Sequence, residues 1–362
     1  MRLRYFILIS AAVAAVVLIL ARVIDNEYGF FAGYIVLQFI VLATAWNILG
    51  GYCGYVNFGS GGFFAIGVYS SVTLHTFEGA IDDLVSESLA GPLHAIFPLP
   101  VPVLIVVGGV IAGLVGLGTG YLTLRLRGVF FAIATLALAV VLQTLVVNWD
   151  FVGGSRGAYV IPPNEVPGIG TYVQYLFILM LILAVVAVTA ARTIERSRLG
   201  YGFATIRDDE LAAEASGVPT LRLKLIATTV SGALMGMAGA PFPYYIGYVE
   251  PESAFNLSYA VNAIAMPMIG GTTTWIGPLV GAILLGSLQQ IATVTISSAV
   301  NLLIVGLLLV GFVIIAPNGI VGLVQDFFRK PEAGGGPGSI GVLIRAMIVD
   351  SLRGRSRTRT PG

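Results

Sequence analysis

The sequence predicts an all-α polytopic membrane protein with about ten transmembrane or broken helices. Three observations predict it. Of 362 residues, 57% are hydrophobic and 10% charged, and mean hydropathy is +0.93; soluble domains carry roughly a quarter charged residues because their surfaces face water. The apolar residues come in runs that repeatedly reach the ~20 positions a bilayer crossing needs. The basic residues also segregate into alternate loops, as the positive-inside rule requires.

The runs fall at residues 6–24, 29–49, 58–77, 100–122, 128–149, 171–191, 223–245, 258–272, 277–297 and 299–316. The first follows Arg2 and Arg4 and also has the form of a secretory signal peptide. A first transmembrane helix is the preferred reading, because the rest of the chain is itself membrane-embedded. The run at 258–272 is too short for a regular crossing. It holds Pro267 and ends in Gly270 and Gly271, which predicts a broken or re-entrant segment.

Charge tests this count independently. With the N-terminus inside, the inner segments collect Arg2, Arg4, Arg125, Arg127, Arg192, Arg196, Arg198, Arg207, Arg222, Lys224 and the basic tail. The outer segments keep Arg22 and Arg156 and gain acids such as Asp25, Glu27, Glu78, Asp82, Asp150, Glu165, Glu250 and Glu252. An even number of spans with both termini cytoplasmic follows, in a multi-pass protein of the cell inner (plasma) membrane. Residues 1–330 form the transmembrane domain, with an outer loop at 78–99 and a large cytoplasmic loop at 192–224. A short surface helix is expected over 82–89. Residues 331–362 read as a mostly disordered cytoplasmic tail, and a surface helix or solvated chain fits 340–349 equally.

The sequence argues against several classes of chemistry, although sodium sites built from backbone carbonyls stay open. The spans hold almost no ionisable residues, and a charge at mid-bilayer costs ~3 kcal/mol and is kept mainly for ion coupling or proton relay. No carboxylate pair or Ser–His–Asp set appears. Cys53 is the only cysteine, and His75 and His94 are too few for a metal cluster. The lysines, Lys224 and Lys330, do not follow a Walker A glycine pattern, so an ATP-driven protein would need another subunit to bind the nucleotide. No nucleic-acid partner is expected.

Three segments are informative. Residues 50–69, GGYCGYVNFGSGGFFAIGVY, form a glycine-rich break between two apolar runs. Interrupted helices expose backbone that could bind a polar or zwitterionic solute, making Asn57, Gly59, Ser60 and Gly61 pathway candidates. Close helix packing explains the same glycines equally well. Residues 267–281, PMIGGTTTWIGPLVG, form a second break, adding Asn262, Gly270 and Gly271; for Thr272, Thr273 and Thr274 helix capping is the preferred reading. The third segment is the large cytoplasmic loop. Asp208, Asp209 and Glu210 crowd the start of an alanine-rich helix containing Ala212 and Ala213, and Gly217 followed by Pro219 stops it.

At this loop the sequence, SRLGYGFATIRDDELAAEASGV, resembles the coupling segment of permeases of the branched-chain amino acid ABC importers, and most closely the longer of their two permease subunits. The resemblance extends through WNILGGYCGYVNFGSGGFFAIGVY, MGMAGAPFPYYIGYVEPESAF, MIGGTTTWIGPLVGA and IIAPNGIVGL, in that order, over residues ~30–325.

The resemblance implies an ABC importer permease architecture and a role in translocating branched-chain or related amino acids. The helix formed by Arg207, Asp208, Asp209, Glu210, Ala212, Ala213 and Gly217 would dock on a cytoplasmic ATPase. The implied partners are a second permease subunit, two ATPase subunits and a periplasmic or lipid-anchored binding protein, with ATP and Mg on the ATPases and no cofactor on this chain. Two positions depart from the family pattern. Ser60 stands where many relatives have histidine, and alignment on Gly217 puts Leu211 at the acidic coupling position, with Glu210 one residue earlier. Urea- or amide-type importers use similar permeases. A passive channel for a small neutral solute is the reading from another class.

Overall fold

A computed structural model describes residues 3–24, 26–81, 97–162, 165–166, 170–295 and 319–328, with isolated positions at 91, 94 and between 303 and 311. Helix α1 spans Leu3–Ile24 and α2 spans Glu27–Asn47, where the Asn26 side chain accepts a hydrogen bond from the Tyr28 amide and caps the start. A π-helical turn, Ile48–Tyr52, ends α2, and α3 (Ser60–Gly79) follows the glycine-rich loop. Next come α4 (Val101–Thr123), opened by proline, α5 (Val129–Val147) and α6 (Tyr172–Glu195). Two short helices, α7 (Arg198–Asp208) and α8 (Glu210–Ala215), lead into α9 (Thr220–Gly239). The chain continues through α10 (Phe242–Ile246), α11 (Pro251–Ala254), α12 (Leu257–Gly270), α13 (Ile276–Thr295) and α14 (Gly319–Phe328).

Among the described residues six helical stretches are long and apolar enough to cross a membrane: Glu27–Tyr52, Val101–Thr123, Val129–Val147, Tyr172–Glu195, Thr220–Ile246 and Ile276–Thr293. The expected run at 58–77 forms α3, which has the length but carries Ser70, Ser71, Thr73 and His75. The run at 258–272 forms α12, 14 residues long with Pro267 inside it, as a broken segment requires. The run at 299–316 lies almost wholly outside the described residues. So do the expected outer surface helix and the tail from residue 331.

Helix α2 is the centre of the bundle: every residue from Leu37 to Leu49 is buried, and it packs on α6, α9, α12 and α13. The closest helix pair is α4 with α9. On α4, Gly108, Ala112, Gly116 and Gly120 recur every fourth residue and face α9, where a methyl added at Gly236 would strike Ala112 and the Gly108 carbonyl. Gly67 of α3 meets Gly236 from the other side. Small residues at this spacing let backbones touch, and dispersion over that contact replaces the hydrophobic drive that lipid cannot supply.

The loops sort onto two ends. One end gathers residues 50–59, 124–128, 196–219 and 271–275, joined by hydrogen bonds such as Arg207 to the Gly51 carbonyl and the Trp275 amide to Glu195. The other gathers the segments around β1 (Ala158–Tyr159) and β4 (Tyr248–Val249), which pair antiparallel. The first end carries Arg125, Arg127, Arg196, Arg198, Arg207 and Arg222, and the second Asp150, Glu250 and Glu252. Loops grouped by charge in the sequence are therefore neighbours in space.

Candidate functional site

The loop after α6 is built by three successive caps. The Ser197 hydroxyl accepts from the amides of Leu199 and Gly200 and starts α7, which buries Phe203 and Ile206. Arg207 and Asp208 are the last residues of α7, so the acidic triplet straddles two helices. Asp209 is extended, with φ −160°, and its carboxylate accepts from Leu211 N at 2.9 Å and Ala212 N at 3.0 Å, capping α8. Gly217 stops α8 at φ +83°. There its amide reaches the Glu214 carbonyl and the Val218 amide reaches the Ala213 carbonyl, the paired bonds of a Schellman motif. Ala213 is the buried residue of α8, while Leu211 is 64% exposed and Ala212 and Ala215 are also open. The site's outer surface is thus a short, tightly capped helix with an apolar crest.

Glu210 points the other way. Its carboxylate accepts from Lys224 Nζ at 2.7 Å and from the Tyr55 hydroxyl. Burial raises the pKa of this carboxyl, but the hydrogen bonds from Lys224 and Tyr55 and the charges of Lys224 and Arg127 outweigh it and hold the pKa below the usual value. Arg207 bonds the Gly51 carbonyl at 3.4 Å, and its side chain lies against Gly54, which has φ +80°. The α7–α8 segment therefore rests directly on the first glycine break.

Of the residues selected as pathway candidates, Asn57 is buried and organises the turn into α3. Its side chain accepts from Gly59 N at 2.8 Å, and its carbonyl accepts from the Trp46 indole at 2.9 Å. Gly59 faces the Thr135 carbonyl of α5, and Gly61 faces the Asn256 carbonyl. Ser60 is 1% exposed, and its hydroxyl has no hydrogen-bond partner among the described residues. Gly270 abuts the Gly277 carbonyl, and Gly271 takes φ +120° to turn between α12 and α13. The two breaks meet: Gly51 faces the Thr272 carbonyl, and Asn47 Nδ2 lies 3.5 Å from the Thr274 carbonyl. Thr274 caps α13 by accepting from Gly277 N at 3.3 Å. Asn262 pairs instead with Gln289, at 2.8 Å.

Other residues carry roles that motif reading missed. Glu195 accepts from the Trp275 amide at 2.7 Å and the Tyr52 hydroxyl at 3.3 Å, tying α6 to both breaks. Arg192 lies 3.7 Å above the Phe6 ring and 5.6 Å from Trp275. Lys224 served in the sequence as a topology marker; its signal was position, on one helix face with Thr220, Thr228 and Ser231. An apolar cavity of about 800 Å³ lies among α1, α2, α6 and α13, lined by residues such as Val13, Val36, Leu181 and Leu279, and by none of the selected pathway residues.

An all-α bundle with six candidate membrane crossings, glycine-broken helices and a capped helix displayed at its basic end defines a multi-pass membrane protein. The family described as branched-chain amino acid transport system / permease component matches residues 30–313, and the chain belongs to it. Over 272 residues it is 28% identical to the high-affinity branched-chain amino acid transport system permease protein LivM of Escherichia coli, covering 68% of this chain and 59% of that protein. LivM of Salmonella typhimurium is 27% identical over the same shares. The probable branched-chain amino acid transport permease protein LivH of Methanocaldococcus jannaschii is 23% identical over 281 residues, 74% of this chain and 83% of that protein. The chain thus spans 59% of the length of its LivM relatives. No solved structure matches it.

Proposed function

We propose that the chain is the permease subunit of an ATP-binding-cassette importer that translocates branched-chain or related amino acids delivered by a binding protein. The observation that carries this reading is α8, a helix capped at both ends, exposing Leu211, Ala212 and Ala215, and joined to the first glycine break through Glu210 and Tyr55. A connector between two spans has no need of such a crest, whereas a groove in a cytoplasmic ATPase would cover it. Arg207, Asp208, Asp209, Glu210, Ala212, Ala213 and Gly217 build and orient this docking helix. The names of the LivM and LivH relatives support the solute class.

In this reading the basic end and both termini are cytoplasmic, two ATPase subunits bind there with ATP and Mg, and a second permease subunit completes the pathway. Residues 1–330 act as the transmembrane unit and 331–362 as a tail. The two touching breaks, with Asn57, Gly59, Ser60, Gly61, Gly270 and Gly271, line the pathway, and Asn262 lies further along it.

Reconstitution in proteoliposomes tests this. Uptake of leucine, isoleucine or valine should require ATP, the ATPases and the loaded binding protein. Equilibration of solute by the chain alone would overturn the importer reading in favour of a channel. Uptake of urea or a short amide in place of leucine would overturn the solute assignment.

A further inference from the structure

Helix α8 turns an apolar edge outward. Its open side presents Leu211, Ala212 and Ala215, while the carboxylates of Glu210 and Glu214 both bond back to the protein, Glu214 remaining 42% exposed. The inner partner is Lys224, one turn into α9 and 3% exposed. An ammonium has three donors, and three acceptors surround this one: Glu210 Oε1 at 2.7 Å, the Tyr55 hydroxyl at 3.1 Å and the Leu124 carbonyl at 3.1 Å. Tyr55 belongs to the first break, Leu124 ends α4 and Glu210 begins α8. The Tyr55 hydroxyl bonds Glu210 in turn, and its ring sits edge-on to Phe131 of α5 at 5.0 Å. Around this centre Arg127 reaches Glu210 at 3.5 Å and Glu214 at 3.1 Å, and the Thr220 hydroxyl donates to Glu214 at 2.9 Å.

Apolar packing lets surfaces slide, whereas a buried ion pair has one geometry and is costly to break. We propose that Tyr55, Glu210 and Lys224 are positioning residues that lock α8 to the first glycine break, so that a displacement of α8 is delivered to residues 50–59 and thence to α2 and α3. The lock rests on the docking role proposed for α8, and it assigns transmission to residues that do not touch the partner. Tyr55 is the link in this chain: among the described residues, its hydroxyl joins the break to both members of the ion pair. Arg207 on the Gly51 carbonyl is a second, weaker tether to the same loop.

The test uses the complete reconstituted importer and reads three quantities: ATPase subunits retained on purification, ATP hydrolysed on adding loaded binding protein, and solute moved per ATP. Tyr55→Phe keeps the ring on Phe131 and removes only the hydroxyl, so it is the variant least prone to misfold; Lys224→Met is the second. Both should retain the ATPases while solute moved per ATP falls about tenfold, the size expected for losing one charge-assisted hydrogen bond. Leu211→Glu, on the open crest, should instead lose the ATPases. Wild-type solute per ATP in Tyr55→Phe and Lys224→Met would overturn the lock. So would loss of the ATPases from both, because the residues would then only shape the docking face. If the unmodified complex fails to hold ATPases or to couple hydrolysis to uptake, the importer reading fails rather than the lock.

Discussion

The two glycine breaks meet at the same end of the bundle yet are held mainly by different means. The first is held by side chains: the Trp46 indole on Asn57, the Asn57 amide on Gly59, Arg207 on Gly51 and the Tyr55 hydroxyl on Glu210. The second is packed mainly backbone on backbone, with Glu195 on the Trp275 amide and Thr274 on Gly277 as its side-chain ties. Gly270 meets Gly277, Gly277 meets Gly271, Gly281 meets the Met266 carbonyl, and Gly319 of α14 closes on Gly271. Side-chain links can travel with a loop that shifts, the Tyr55–Glu210 bond moving together with α8, but steric contact between main chains admits one arrangement. If the two breaks form the proposed pathway, this difference suits the first to motion and the second to a fixed pivot.

The sharpest way to break this contrast is Gly277→Ala. Its Cβ would fall on the Gly271 main chain, which no rotamer change relieves, so we expect a loss of about 3 kcal/mol or more and little protein extractable in folded form. Size-exclusion profiles in detergent would show it, and a wild-type profile would remove the pivot. Lys224→Met comes next. Glu210 would keep Tyr55 and Arg127 and some water, so thermal unfolding in detergent should report about 2 kcal/mol, below the range for a fully buried pair. Asn57→Ala removes one turn-forming acceptor and should cost about 1 kcal/mol, with Asn57→Asp closer to wild type.

The smallest effect is acidic. The Glu210 carboxyl has its pKa lowered by folding, so its stabilising contribution is complete above the unfolded pKa of about 4.3 and is lost as pH falls through the lower folded value. Amide exchange in α8, relative to α7, should quicken in that window, and Glu210→Gln should abolish the pH dependence. Exchange independent of pH in the unmodified protein would show that the carboxylate does not hold the helix.

Apolar periodicity reported most of the fold because lipid demands long uninterrupted runs, and α2, α4, α5, α6, α9 continued by α10, and α13 match their expected segments within a few residues. Both breaks were legible as glycine clusters, and Gly217 was legible as a stop because only glycine adopts φ +83° without strain. What stayed hidden was long-range. ELAAEA gives no sign of which side faces inward, since that depends on Lys224 fourteen positions away and Tyr55 155 positions away. The helix break between Asp208 and Asp209 was hidden too, because two identical residues do opposite jobs: one ends α7 and the other caps α8. Asn57 was chosen for its polarity at a break, whereas its hydrogen bonds shape the chain.

The Schellman stop at Gly217 has a consequence for whatever grips α8. With Asp209 sealing one end and a left-handed glycine the other, the helix is a key of fixed length, 6 residues or about 9 Å. It cannot lengthen by recruiting Ser216 and Val218, nor fray by releasing Glu210 cheaply. A partner can tilt or push it but cannot wind it further, so the depth of the matching groove must be cut to this key rather than the key adjusting to the groove.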